Sequence, residues 1–253
     1  MIEPYTILEF DPTREAVLEP ARLIARQDVP ERCVLCFFRE VIADVQTRYD
    51  ARTVAVLSSE IGANPLLEIE HEGVRLAFLH PGVGAPLAAG FLEELIALGC
   101  RKFIACGGAG VLNANLAVGH IVIPTSALRD EGTSYHYLPP GEPAMPHPDG
   151  VAAIEATLQK HAIAYVTGKT WTTDAFYRET AGKVKRRREA GCLTVEMEAA
   201  AFFAVAQFRD VILAQMLYSG DNLDGENWDS REWNSHSVRE RLFWLAAEAC
   251  CQL

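Results

Sequence analysis

Apolar residues fall along the chain in short runs that alternate with stretches of helical spacing. Cys33–Phe38, Thr53–Leu57 and Val74–Leu79 have the length and composition of strands. Behind the third run, Leu87, Phe91, Leu92, Leu95, Ile96 and Leu98 recur at intervals of three and four, which predicts a helix with one buried face. Pro81-Gly82-Val83-Gly84 lies between them, so the order is strand, glycine turn, helix. Phe103–Cys106 predicts a short strand ending in a turn at Gly107-Gly108-Ala109-Gly110, and Gly119-His120-Ile121-Val122-Ile123-Pro124 predicts another strand. Further on, the pattern predicts a helix at Gly150–His161 and a strand at Tyr165–Trp171. A helix opened by Thr194 follows, with Ala199, Phe202, Phe203 and Ala206 on its apolar face, then a strand at Val211–Leu217 and a helix at Arg239–Cys251. This β-α-β order predicts an α/β fold with a mixed or parallel sheet covered by helices on both faces.

Between these elements, Leu138–Pro148 carries five prolines in eleven residues and predicts an extended surface loop rather than a domain linker, because the pattern on either side of it is the same. The 253 residues are therefore expected to form one domain over 1–253, with the polar, proline-punctuated stretch 1–32 as an N-terminal extension. A hydrophobic content of 49% against 23% charged residues excludes disorder as the main state. The net charge of −11 makes nucleic acid an unfavourable partner. Met1-Ile2-Glu3-Pro4 lacks the basic and apolar regions of a signal peptide and no apolar run is long enough to span a bilayer, so no membrane association and a cytoplasmic location are expected. Seven cysteines, an odd number with Cys250 and Cys251 adjacent, fit reduced thiols. Cys33 and Cys36 have metal-pair spacing but lie in an apolar run with no second pair to answer them, which favours a core role and no metal.

Ligands in open α/β sheets bind beyond the carboxyl ends of strands, and four segments there are unusually polar or glycine-rich. Gly82-Val83-Gly84 and Gly107–Gly110 leave room for backbone N–H groups to approach an anion, although neither fits a dinucleotide or P-loop pattern and a tight turn accounts for each as well. Trp171–Glu179 sets Phe176 and Tyr177 beside Arg178 and Asp174, the mixture of stacking and hydrogen bonding that a heterocycle requires, or simply a packed loop. Val195-Glu196-Met197-Glu198-Ala199-Ala200 places two acids at an otherwise apolar helix start. A helix dipole accounts for one acid, and two suggest a polyol held by carboxylate oxygens. Lys183, Lys185, Arg186, Arg187 and Arg188 read as a solvated helix face, with attraction of a phosphate-bearing substrate as the alternative. Trp228 and Trp233 follow Asp221 closely enough to form a lid or to pack their own loop.

Val195–Ala200, Thr173-Asp174-Ala175-Phe176-Tyr177, Pro81–Gly84 with Glu93-Glu94-Leu95, and Ser219-Gly220-Asp221 together resemble the nucleoside phosphorylase superfamily of uridine and hexameric purine nucleoside phosphorylases. The resemblance runs in order from about Thr53 to Asp221, and the Glu-Met-Glu segment is its most specific piece. It implies a three-layer fold, a central mixed sheet flanked by helices, and a homo-oligomer, trimer or hexamer, that completes each site across an interface. Glu198 would accept hydrogen bonds from the ribose hydroxyls, with Met197 packed on the sugar and Glu196 nearby. Phe176, Tyr177 and Arg178 would meet the base, and Asp221 would be the acid at the base, as in purine-cleaving members. Gly107 and Gly108 would face the phosphate. The implied activity is phosphorolysis of a ribonucleoside, purine favoured and uridine possible, to ribose 1-phosphate and free base in nucleoside salvage. Phosphate is the co-substrate, and no cofactor is expected.

The chain departs from that pattern where phosphate binds. Family members have an Arg before the glycine-rich segment and a Ser or Thr within it, where this chain has Ala105 and Gly108, and no Gly-Asp-Pro-x-Arg loop follows Cys33–Phe38. Arg39 is merely the nearest cation, and Arg48 or Arg178 could substitute. Hydrolysis by a nucleosidase, or nucleoside binding without catalysis, are therefore the rival expectations. An acid kept at the base end argues against the second.

Overall fold

Four parallel strands and their partners decide where the fold opens. The computed structural model describes residues 5–225 and 227–253; Met1–Pro4, on which the leader expectation rests, lies outside them. The strands are β1 (Arg32–Cys36), β2 (Arg52–Ser59), β3 (Gly62–His71), β4 (Val74–Leu79), β5 (Lys102–Val111), β6 (Ile121–Asp130), β7 (Tyr165–Thr173), β8 (Cys192–Glu196) and β9 (Ile212–Asn222). The helices are α1 (Pro20–Leu23), α2 (Arg39–Arg48), α3 (Ala85–Leu98), α4 (Pro148–Lys160), α5 (Ala181–Glu189), α6 (Ala199–Arg209) and α7 (His236–Cys251). One sheet takes all nine strands in the order β2-β3-β4-β1-β5-β8-β7-β6-β9, and a further β5–β9 pairing closes β5, β8, β7, β6 and β9 into a ring. It is a mixed sheet, which the family resemblance implied and which the hydrophobic pattern allowed beside a parallel one. β4, β1, β5 and β9 run parallel, so their carboxyl ends open on the same side.

Helices cover both faces. α3 and α6 pack on one side, where Phe91, Leu95, Phe202 and Phe203 join Leu35, Leu79 and Ala105. α2, α4 and α7 pack on the other, over Val34, Phe78, Ile104 and Met216. Strand alternation splits the CxxC pair: Cys33 enters the first cluster and Cys36 the second, so the two thiols point to opposite faces and cannot share an ion. Among the described residues no helix is long and apolar enough to cross a membrane.

Several elements differ from expectation, each because tertiary pairing overrides local pattern. Gly107–Gly110 is not a turn. β5 runs through it to Val111, since β9 pairs alongside as far as Ala109 and beyond a bulge. Thr194 does not open a helix; Thr194 and Glu196 belong to β8, which pairs with β7, and α6 starts only at Ala199. β9 continues past Leu217 to Asn222 and takes Asp221 into the sheet. β3 escaped notice because its polar ends and Pro65 mask a buried centre, Leu66–Ile69. The proline-rich stretch is a loop, as predicted, and is pinned at its middle. Ala144 is fully buried and pairs with Ala127, while the Arg129 guanidinium donates to the carbonyls of Leu138, Pro139 and Glu142. The basic run forms α5, where Lys183 and Arg187 pair with Asp130 and Arg188 with Asp224, which accounts for much of its charge internally.

Candidate active site

The parallel strand ends bound a cavity of about 270 Å³ lined by Phe37 and Phe38 after β1, Val83 after β4, Gly107 and Gly108 on β5, Glu196, Met197 and Glu198 at the end of β8, and Gln215, Trp233 and Arg239. The expected sugar residues and the expected anion residues therefore meet in one place. They do so because β8 delivers its last residue beside β5, with Val195 opposite Gly110.

The two acids differ in kind. Glu196 has both oxygens engaged. Oε1 accepts from the Thr172 hydroxyl at 2.6 Å, and Oε2 accepts from the backbone N–H groups of Glu198 at 2.7 Å and Ala199 at 2.6 Å. Thr172 in turn accepts from the Ala200 N–H at 2.9 Å. Glu196 thus satisfies the N–H groups that the start of α6 leaves unpaired and fixes the direction in which the next residues leave the strand. Burial outweighs these donors and pushes its carboxyl up to about 7.

Glu198 is 6% exposed and accepts from the backbone N–H of Gly84 at 2.6 Å through Oε1. Gly84 has φ of 88°, a conformation that a side chain would strain, and this backbone turn directs its N–H at the carboxylate. Among the described residues Glu198 Oε2 has no side-chain partner. Burial, and secondarily the charge of Glu196, raises the Glu198 carboxyl to about 8. A buried carboxylate anchored on backbone N–H groups and with no side-chain partner on Oε2 is suited to accept hydrogen bonds from vicinal hydroxyls, which favour its charged form.

The residues expected at the base do not line the cavity. Phe176, Tyr177 and Arg178 form a single 3-10 turn after β7, and the two rings lie 4.1 Å apart between centroids, half or more exposed. Asp221 accepts from the Trp228 indole N–H at 2.6 Å. A Cβ at Gly110 would lie 3.1 Å from Val195 and 3.5 Å from the Asp221 carboxylate, which places Asp221 alongside the residue preceding Glu196. Glu179, at the end of the aromatic turn, was not singled out from sequence. Burial and the nearby charge of Asp221 push its carboxyl up to about 7, so an acid that keeps its proton near neutrality stands next to Asp221.

The glycines expected to face phosphate pack against aromatic rings. A Cβ at Gly107 would approach the Phe37 ring to 3.0 Å, and one at Gly108 would approach the Tyr218 ring and hydroxyl to 3.0–3.1 Å. The glycines make room for two aromatic side chains. Ala105 is fully buried. Arg39 and Arg178 are exposed, and Arg48, at the end of α2, pairs with Glu240 of α7. None of these three lines the cavity. The cation that does is Arg239, from α7, whose guanidinium lies over the Trp233 ring, and Gln215 lines the same cavity. Gln215 and Arg239 were missed because nothing local links residues 215 and 239 to a site centred on 196–198, whereas Trp233 was expected near it.

The loop before α7 is fastened rather than free. Asn222 and Asp229 pair through their backbones, Arg231 donates to the carbonyls of Gly220 and Leu116, and Tyr218 Oη donates to the Trp233 carbonyl at 2.9 Å. Trp233 closes one wall of the cavity, whereas Trp228 is 64% exposed.

A family model described as the phosphorylase superfamily matches residues 31–250. The chain is 34% identical over 142 residues to a guanosine phosphorylase of Halorubrum lacusprofundi, covering 56% of this chain and 59% of that protein. It thus spans little more than half the length of the curated relatives it matches. In fold it is similar to the uridine phosphorylase of Vibrio fischeri ES114, with a TM-score of 0.77 and 21% identity over 93% of this chain and 98% of that one. It is also similar to the AMP nucleosidase of Bacteroides thetaiotaomicron, with a TM-score of 0.71 and 23% identity over 88% and 87%.

Proposed function

The chain belongs to the phosphorylase superfamily, and from that premise we propose that it cleaves the N-glycosidic bond of a ribonucleoside with phosphate, purine nucleosides being favoured. The observation that carries this reading is Glu198, a buried carboxylate anchored on backbone N–H groups and with no side-chain partner on Oε2 among the described residues, in a cavity shared with Met197, Gly107 and Gly108. The guanosine phosphorylase relative supports the choice of a purine. An acid at Asp221 supports it too, since a departing purine needs a proton at its imidazole ring.

In this mechanism Glu198 fixes the ribose through its hydroxyls and Met197 packs on the sugar, so that the sugar can develop positive charge without drifting. A phosphate oxygen bonds to C1′ as the C1′–N bond breaks. The electron pair of that bond passes to the base, and a proton held by Glu179, given directly or passed on through Asp221, neutralises it, leaving free base and ribose 1-phosphate. Phe176 and Tyr177 offer the base a stacking surface, with Arg178 at its edge. Glu196 acts through Glu198 as a positioning residue. The homo-oligomer belongs to the same proposal.

Hydrolysis is the second reading, favoured by the buried, apolar surroundings of Ala105 and the lack of any hydroxyl side chain at Gly108. One experiment decides between them. A nucleoside panel is incubated with and without phosphate, and the base and sugar products are separated by chromatography. Phosphorolysis gives ribose 1-phosphate and requires phosphate. Free ribose formed without phosphate overturns that choice, and no base release from any nucleoside overturns the enzymatic reading.

A further inference from the structure

We propose that Arg239 and Gln215 form the anion contact of the cavity and hold a hydrogen phosphate ion there. The proposal rests on the phosphorolytic reading above but makes a demand of its own, that the protein bind inorganic phosphate in the absence of nucleoside.

Arg239 sits in the second turn of α7, and its side chain is 14% exposed. The guanidinium lies over the Phe38 ring at 5.3 Å and the Trp233 ring at 4.9 Å. Nε donates to the Tyr218 hydroxyl at 3.2 Å and Nη1 to Glu40 at 2.6 Å. Among the described residues Nη2 donates to no protein group. Held by two rings, a phenol and a carboxylate, the guanidinium loses little freedom when an anion arrives, and a fork of this kind matches phosphate oxygens.

Gln215 supplies the second and independent observation. It is 1% exposed, it lines the same cavity, and its amide oxygen is buried with no partner. It stands in register beside Ala105 on β5. A buried acceptor without a donor is costly, and a ligand that brings one relieves the cost. Hydrogen phosphate carries acceptor oxygens for the guanidinium and one P–OH to donate to Gln215. Sulfate, fully ionised at neutral pH, has no proton to offer. The site therefore favours phosphate over sulfate. Glu40 neutralises Arg239 from the other side and competes with the incoming anion, so affinity is held down.

The test is thermal unfolding of the full chain titrated with inorganic phosphate, and separately with sulfate, without nucleoside, because a ligand that binds the folded state raises Tm with its concentration. Phosphate is expected to stabilise the wild type more than sulfate does. Arg239→Gln should weaken apparent phosphate affinity about tenfold or more, with Arg239→Lys between the two. Glu40→Gln should strengthen it, an outcome that a purely structural ion pair does not give. Gln215→Leu should abolish the preference over sulfate, and Arg48→Gln, away from the cavity, should change nothing. Unaltered phosphate affinity in Arg239→Gln, or in Glu40→Gln should the first variant not fold, overturns the proposal. So does a wild type that phosphate does not stabilise. In that event base release in phosphate-free buffer separates this failure from that of nucleoside cleavage itself.

Discussion

Replacing Glu198 by Ala or Gln perturbs the cavity in two separable ways. The Ala variant removes both the anchor to Gly84 and the acceptor offered to the sugar. Two charge-assisted hydroxyl contacts at about 1.5–3 kcal/mol each place the loss of transition-state binding at about 3 kcal/mol or more, over a hundredfold in kcat/KM. A 2′-deoxynucleoside, which makes one contact fewer, should lose less. The Gln variant keeps an oxygen for Gly84 and removes the charge. Burial holds the Glu198 carboxyl at about 8, so at neutral pH only about one empty site in ten carries the ionised form that accepts two hydroxyls. Wild-type kcat/KM should rise about tenfold per pH unit below about pH 8 and then level, and the Gln variant should lack that limb. The same shift bears on stability. The folded carboxyl keeps its proton up to about 8, while the unfolded chain gives it up near 4.5, so the contribution of Glu198 is complete below 4.5 and is lost as pH rises through about 8. Unliganded wild type should therefore lose Tm across that window, and Glu198→Gln should lose less. Steady-state kinetics and thermal unfolding from about pH 5 to pH 9 measure both. Unchanged kcat/KM in Glu198→Ala, or an identical pH limb in Glu198→Gln, refutes the assignment.

Asp221→Asn should slow purine release about a hundredfold or more and leave any uridine cleavage nearly unchanged, and equal loss on both bases would mean that Asp221 only holds Trp228. If Glu179 gives the proton directly instead, Glu179→Gln carries that loss and removes a fall in wild-type rate above its value of about 7. Gly108→Ala forces a Cβ to within 3.0 Å of the Tyr218 ring, which Trp233, Arg239 and Phe38 hold in place; calorimetry should find about 1–3 kcal/mol of lost stability, and an unchanged Tm would show that Tyr218 yields freely. Phe176→Ala and Tyr177→Ala, at exposed positions, should leave stability within about 0.5 kcal/mol while raising the nucleoside KM up to about tenfold if the rings stack on the base; unaltered KM in both removes them from the site.

The sequence by itself determined the fold class and singled out residues that the structure places around one candidate cavity. Strand-length apolar runs alternating with helical spacing leave few ways to bury both patterns except helices on both faces of a sheet. Glu196-Met197-Glu198 is conspicuous because two acids in an apolar stretch have to be satisfied by something. Periodicity also placed Val74–Leu79 and the buried face of α3, since those residues meet their partners through a single repeating geometry. Tertiary structure alone decided which acid is a brace and which is open, because the difference lies in Thr172 and Gly84, which sit 24 and 114 residues away in the chain. It also decided that Gly107–Gly110 is strand, through pairing with β9, and that Gly107 and Gly108 accommodate Phe37 and Tyr218 rather than form a turn. Arg239 and Gln215 lay beyond reach for the same reason. A hydrophobic period reports which face of an element is buried, but a site at converging strand ends is assembled from residues whose separation along the chain carries no record of their proximity.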